Sequence, residues 1–216
     1  MPRTFIWRAQ PLHIHQNGVN YTRTFFVSSP AKVLVVKLNA TSPASQNFTI
    51  SLDTPTSIVD LTVSGSVITL NGKNTEAQNG LPGVMTYQDR LRLYATGGKV
   101  TAVPASAGIA AHLRVEQADE IVLVVGVATS FVRYDDGSSG NPASRLDEIF
   151  ASLPATKVFD KLLSAHIASH SKYFDRFTID TGNVAEFSSL PTNARIQRGK
   201  SGGDPGIISL YVNFAR

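Results

Sequence analysis

The stretch "DEIVLVVGVATSFVRYDDGSSGNPASRLDEIF", residues 119–150, decides the fold, because two different periodicities meet inside it. Residues 119–131 form a nearly continuous apolar, β-branched run, the pattern of a strand buried on both faces. The segment "RYDDGSSGNP" (133–142) then turns polar and glycine-rich and predicts a boundary loop. Asn141 followed by Pro142 is an N-cap with proline at the first helical position, opening the helix "PASRLDEIFASL". Strands are therefore expected before this junction and helices after it.

Upstream, "AKVLVVKLNA" (31–40) repeats the pattern of a core strand. "DRLRLYA" (89–95) alternates, with Leu91, Leu93 and Ala95 on one side and Arg90, Arg92 and Tyr94 on the other, which predicts a sheet with one wet face. "HLRVEQ" (112–117) alternates in the same way. Asn71-Gly72, Asn79-Gly80 and Gly97-Gly98 tolerate positive φ and are expected to close tight turns. Residues 1–134 thus read as a large antiparallel β-sandwich, and the chain as mainly β.

Downstream, a second helix is expected after Pro154. In "TKVFDKLLSAHIASHSKYFDRF", residues Phe159, Leu162, Leu163, His166, Ile167, His170, Phe174 and Phe177 recur at helical spacing, a stripe suited to packing on the sandwich. Asp204-Pro205 caps a further helix, "PGIISLYVNFAR", whose Ile207, Ile208, Leu210, Tyr211 and Phe214 build an apolar face. The expectation is a helix interrupted by the end of the chain, its apolar face prepared for a partner.

Composition excludes some classes of function. A chain of 216 residues can bury about 70% of its unfolded surface. At 42% hydrophobic and 17% charged it is an ordinary globular sequence, neither disordered nor fibrous. The formal charge of +4 is scattered, without a block of like charges, and does not point to nucleic acid. With no cysteine, disulfides and cysteine-ligated metals are excluded. "MPRTFIWRAQPLHIHQ" holds no apolar core of about 7 to 15 residues of the kind a secretory signal needs, and no run of about 20 apolar residues suggests a membrane span. Localisation stays unassigned. Three N-glycosylation sequons nevertheless crowd the first quarter, at Asn20, Asn39 and Asn47.

"RIQRGKSGGDPGIISLY" (195–211) resembles a phosphate cradle at Gly199-Lys200-Ser201, but a P-loop needs glycine where Ala194 stands, and "EFSSLPTN" upstream is no apolar strand. Asp204 at the following helix would occupy the N–H groups an anion would use. "HIASH" (166–170) has the zincin histidine spacing, yet Ile167 stands where the general base belongs. "HIH" places His13 and His15 on one strand face and lacks a third partner. Asp135 and Asp136 of "YDDG" are followed by Ser138, Ser139 and Gly140 rather than the carboxylates of a calcium loop. The remaining acids, among them Asp53, Glu116, Asp147 and Glu148, show no spacing that singles out a hydrolytic pair. No serine lies in a Gly-x-Ser-x-Gly elbow. The residues yield no catalytic site, no metal site and no cofactor.

Three strings in the helical half do carry a resemblance. "HIASHSKYFDRFTIDTG" (166–182), "LPTNARI" (190–196) and "DPGIISLYVNFAR" (204–216) resemble, in order and spacing, the linker between the N-terminal β domain and the helical barrel of glycoside hydrolase family 95, the α-L-fucosidases. The matching positions are His166, Phe174, Arg176, Gly182, Leu190, Pro191, Thr192, Arg195, Asp204, Pro205, Leu210, Tyr211 and Arg216. Ser169 and His170 replace the family's Asp-Tyr pair, and Ala215 replaces a glycine. "GVNYTRTFFVSSPAKVLVVKLNAT" and "ADEIVLVVGVATSF" are similar to strands of the same β domain.

The resemblance implies an incomplete, supersandwich-like β domain at 1–134, a helical linker at 135–203 and the first helix of an (α/α)6 barrel at 204–216. It implies a non-catalytic portion of an enzyme that hydrolyses α-1,2-linked L-fucosides with inversion. The family's acid glutamate and its water-activating asparagine and aspartate belong to the barrel, and no position here corresponds to them. Fucosylated glycans would then be partners of the full-length parent only. Neither nucleic acid nor membrane is expected as a partner, and an exposed sheet edge would favour self-association. The alternative is a stand-alone β-sandwich that binds carbohydrate or protein without hydrolase activity, for which Trp7 and dispersed tyrosines offer little stacking surface.

Overall fold

The structure is a computed structural model that describes residues 10–77, 80, 82–182, 187 and 189–215. Trp7, Asn79 and Arg216 lie outside the described residues. Among the described residues the strands are β1 (Gln10–Gln16), β2 (Val19–Ser28), β3 (Val33–Ala40), β4 (Gln46–Ile50), β5 (Ser57–Ser64), β6 (Val67–Lys73), β7 (Thr86–Thr96), β8 (Lys99–Val103), β9 (His112–Ala118) and β10 (Glu120–Thr129). The helices are α1 (Pro142–Ala151), α2 (Val158–Phe174), α3 (Thr192–Gly199) and α4 (Gly206–Ala215). The chain divides into two compact units, Met1–Ile167 and Ala168–Arg216.

The first unit is an antiparallel sandwich. A seven-stranded sheet in the order β1-β2-β3-β10-β7-β6-β5 faces a three-stranded sheet in the order β4-β9-β8. Strand β10 lies at the centre of the large sheet, hydrogen-bonded to β3 on one side and β7 on the other. Its apolar run serves two cores because successive side chains point to opposite faces. Ile121, Leu123 and Val125 join Leu113 and Val115 of β9 between the sheets. Val122, Val124 and Ala128 join Phe26, Val35, Leu146, Phe150 and Leu162 under the helices. The continuous pattern predicted a strand buried on both faces, and the structure bears this out.

Helix α1 begins where Asn141 and Pro142 place it. The Asn141 carboxamide accepts the Ser144 N–H at 3.1 Å, satisfying one of the orphan donors of the first turn. Leu146 and Phe150, one turn apart, are buried against β10. Gly126 permits that approach, since a Cβ there would stand 2.9 Å from the Phe150 ring and 3.0 Å from Leu146. Arg145 fastens the helix to the end of β10 by donating to the carbonyls of Thr129 (2.6 Å) and Phe131 (2.8 Å).

Two local expectations are corrected. The side of β7 expected to be wet is covered by α1: Arg90 and Arg92 lie over the Phe150 ring, at 5.6 and 5.0 Å, and Arg90 pairs with Asp147 at 2.7 Å. Long guanidinium stems can roof an apolar ring while keeping their charge partnered, so alternation alone did not distinguish solvent from helix. Asn71-Gly72 is not a turn but lies inside β6, opposite Gln88 and Tyr87 of β7. Glycine stands there because the Tyr87 ring occupies the position of a Cβ, 2.1 Å away, and Tyr87 is held by the hydroxyls of Thr54 and Thr56. Within the stretch 135–203, expected as a helical linker, Thr192–Gly199 form helix α3. Gly97 and Gly98 do close the β7–β8 turn, with φ of 69° and 64°.

Candidate functional site

The residues singled out for their spacing fall mostly in the second unit, and its polar centre is the pair Arg195 and Asp204. Arg195 lies in α3 and Asp204 just before α4, separated by the glycine-rich loop around Lys200. The Arg195 guanidinium donates through Nε to Asp204 Oδ2 at 2.8 Å and through Nη2 to Oδ1 at 3.0 Å. This is the two-point, fork-to-carboxylate geometry that fixes orientation as well as charge. Both side chains are buried. Ile207 at the start of α4 donates its N–H to the Asp204 backbone carbonyl at 3.3 Å, and the N–H groups of Gly206 and Ile207 stabilise the ionised Asp204 carboxyl. The Arg195 hydrogen bonds, with those N–H groups, hold its carboxyl below the ordinary carboxylate range. The same partner raises Arg195. Asp204 thus does two jobs that the sequence assigned to it only in part: it caps α4 and it ties α4 to α3.

A second contact braces the same corner. Thr181 Oγ1 donates to the Pro205 carbonyl at 2.6 Å, and the Ser209 hydroxyl accepts the Thr181 N–H at 3.2 Å. Sequence reasoning missed Thr181 and Ser209, which are 28 positions apart and belong to no shared periodicity. The adjoining Gly182 adopts φ of 79° and donates its N–H to Asp180 at 2.9 Å.

The other family-pattern residues are less concentrated. His166 is buried in α2 with its ring stacked on Phe26 of β2, centroids 5.0 Å apart, so it packs as a core side chain of the first unit. Phe174 ends α2 beside His170, 4.8 Å between centroids. Arg176 is exposed just beyond that helix. Leu190 is half-buried, Pro191 occupies the N-cap of α3 without a side-chain cap, and Thr192 is its exposed first residue. The structure therefore brings together Arg195, Asp204 and Pro205, and leaves Arg176 and Thr192 at the surface.

The sequons and acids have definite places. Asn20 is exposed on β2, with Oδ1 2.7 Å from His15 Nδ1. Asn39 is half-buried in β3. Asn47 is exposed, and its side-chain oxygen accepts the Gln117 N–H at 2.9 Å. It borders a polar hollow with Gly98, Lys99, Glu116 and Gln117. Asp53 accepts from the Thr54 N–H at 2.8 Å, Asp135 pairs with Arg133 at 2.6 Å, and Asp147 pairs with Arg90. Glu116 and Glu148 are exposed. Asp136 accepts the N–H groups of Ser138 and Ser139 and the Ser139 hydroxyl, which lower its affinity for a proton. The "YDDG" segment is in this way a self-satisfied turn.

Comparison with known proteins gives this arrangement a lineage. Residues 12–134 match the family model described as "Glycosyl hydrolase family 65, N-terminal domain". Residues 158–216 match that of "Glycosyl hydrolase family 95 catalytic domain". The chain is similar to "Probable alpha-fucosidase A" of Aspergillus oryzae, 27% identical over 215 residues that take in 91% of this chain and 28% of that protein. It is also similar to "Alpha-L-fucosidase 2" of Arabidopsis thaliana, 24% identical over 231 residues, covering 92% of this chain and 26% of that protein. Among solved structures, "Putative kojibiose phosphorylase from human microbiome" aligns with a TM-score of 0.49 and 9% identity, over 78% of this chain and 24% of that one. The chain thus spans little more than a quarter of the length of the curated relatives it matches.

Proposed function

This chain belongs to the glycoside hydrolases whose N-terminal β domain is of the family 65 type, running on into a family 95 region, and from that premise we propose that it is the non-catalytic support portion of an α-L-fucosidase-like enzyme. The parent reaction would be inverting hydrolysis of α-1,2-linked L-fucosides, with fucosylated glycans bound by the full-length protein. In this proposal the sandwich at 1–134 is the support domain, residues 135–203 are the linker, and residues 204–216 open the catalytic barrel. Arg195 and Asp204 then act as a positioning pair: they set the direction in which α4 enters the barrel.

The observation that supports this most is the order of the two family matches on one chain, a β domain followed by the beginning of a catalytic region. The geometry agrees with it, since the best-defined polar contacts of the second unit fix a helix rather than line a pocket. The test is an assay of the purified chain, first shown to be folded by a cooperative melt, on oligosaccharides bearing α-1,2-linked L-fucose. No release of L-fucose is expected, and turnover by this chain would overturn the assignment of catalysis to other segments. Retention of such glycans on a column, without turnover, would favour a carbohydrate-binding module instead.

A further inference from the structure

Among the described residues, strand β1 is an edge strand of the large sheet, and it carries the two histidines of "HIH". His13 stands opposite Thr22 and His15 opposite Asn20 in the β1–β2 register, so both imidazoles project from the same sheet face, and both residues are exposed. Each ring is held by the residue directly across from it. His15 Nδ1 lies 2.7 Å from Asn20 Oδ1, and His13 Nδ1 lies 3.2 Å from Thr22 Oγ1. A carboxamide oxygen can only accept, so His15 Nδ1 is the donor in this contact and Nε2 is the nitrogen left over for a ligand. The threonine hydroxyl can accept in the same way from His13.

We propose that His13 and His15 form a two-imidazole site for a divalent first-row transition metal, with Asn20 and Thr22 as the residues that orient the ligands. Three observations support the site together. Residues i and i+2 of a strand lie about 7 Å apart, a span that two imidazoles turned toward one ion can bridge with metal–nitrogen distances of about 2.0–2.1 Å. The Nδ1 contacts reproduce the arrangement in which a ligating histidine uses its other nitrogen to fix tautomer and ring orientation. Electrostatics on that face do not oppose a cation: the neighbouring positions of β2 are Asn20, Thr22 and Thr24, and Lys37 of β3, opposite Thr24, is neutralised by Glu120 at 2.8 Å. Water would complete the coordination, and imidazole donors favour copper, nickel or zinc over magnesium or calcium. The site would hold an exchangeable metal and is independent of the fucosidase assignment.

The test is calorimetric titration of the unglycosylated 216-residue chain with NiCl2, alongside electron paramagnetic resonance with Cu2+. One site with nitrogen hyperfine structure is expected. His13→Ala and His15→Ala should each lower affinity by at least about tenfold, and Asn20→Ala by about tenfold through the lost orientation. All three variants should melt with the wild-type protein, since the side chains are exposed. His112→Ala, whose ring turns to the Ala110 carbonyl at 2.9 Å, should leave the isotherm unchanged. Binding that survives His13→Ala and His15→Ala, or that His112→Ala abolishes, would overturn the proposal.

Discussion

Strand β10 and helix α4 are both rich in apolar residues, yet only the strand buries any of them fully. Ile121 and Val124 of β10 are fully buried between a sheet and a helix layer. Helix α4 has no fully buried residue, and Ile208, Tyr211 and Phe214 remain 54%, 69% and 68% exposed. Apolar composition is therefore half of a burial argument; the other half is an element with a complementary face. The sandwich contains those elements for β10. For α4, the described residues include polar anchors at Asp204 and Ser209, and exposed hydrophobic surface at Ile208 and Tyr211. Exposed apolar faces of this kind mark interaction sites, which agrees with the proposed role of α4 as the opening of a barrel.

The largest effect is expected at the contact between α1 and β10. Leu146 is completely buried there, beside Gly126. Replacing it with alanine removes the transfer energy of the lost atoms and leaves a cavity that the strand cannot collapse to fill. Leu146→Ala should destabilise the first unit by about 2–5 kcal/mol, measured by chemical denaturation with a sandwich-sensitive signal. A loss below about 1 kcal/mol would mean that the α1 layer contributes little to the burial of β10.

A smaller and more local effect is expected at the anchor of α4. Asp204→Asn keeps the shape of the carboxylate but leaves the buried Arg195 without its counter-charge. Amide exchange should accelerate in α3 and α4 while β10 keeps its protection, a difference that exchange mass spectrometry resolves by segment. The pH dependence has a definite sign. The folded carboxyl lies below its ordinary value, so the unfolded chain takes up the proton first as pH falls. The contribution of Asp204 is then complete above about pH 4 and is lost as pH falls through the folded value. Asp204→Asn should flatten that acid limb. Faster exchange spread evenly over the sandwich, or an unchanged acid limb, would show that the pair does not serve α4 in particular.

How far the sequence could be read follows the same division. β10 and the Asn141 cap were legible because burial on two faces and an N-cap leave local signatures, and the Asp204 cap was legible for the same reason. Its partner Arg195 entered only through a family resemblance, because a salt bridge across a loop has no period. Helix α3 was expected only within a helical linker and its bounds were not legible: in "TNARIQRG" the single buried residue is Arg195, so no apolar stripe marks them. The wet face assigned to β7 failed because Arg90 and Arg92 are polar in sequence and packed in space. Asn71-Gly72 failed because glycine answers both to positive φ and to the close approach of a ring, and only the pairing with Tyr87 shows which demand applies.

The smallest effect is expected on the exposed face of α4. Ile208 lies in the first turn, where a carboxylate meets the positive end of the helix dipole. Tyr211 lies three positions on, so Ile208→Glu with Tyr211→Lys creates an ion pair on the helix surface, worth about 0.2–0.5 kcal/mol. If nothing in this chain covers the face, the double variant should melt within about 0.5 kcal/mol of the wild-type protein, with any change in the stabilising direction. Its concentration-dependent association, followed by sedimentation velocity, should fall, because two exposed apolar side chains have become charged. The same exchange made on a face that this chain buried would strand two charges without water and cost several kcal/mol. A loss of that size would place α4 with β10, as an element whose partner is already present.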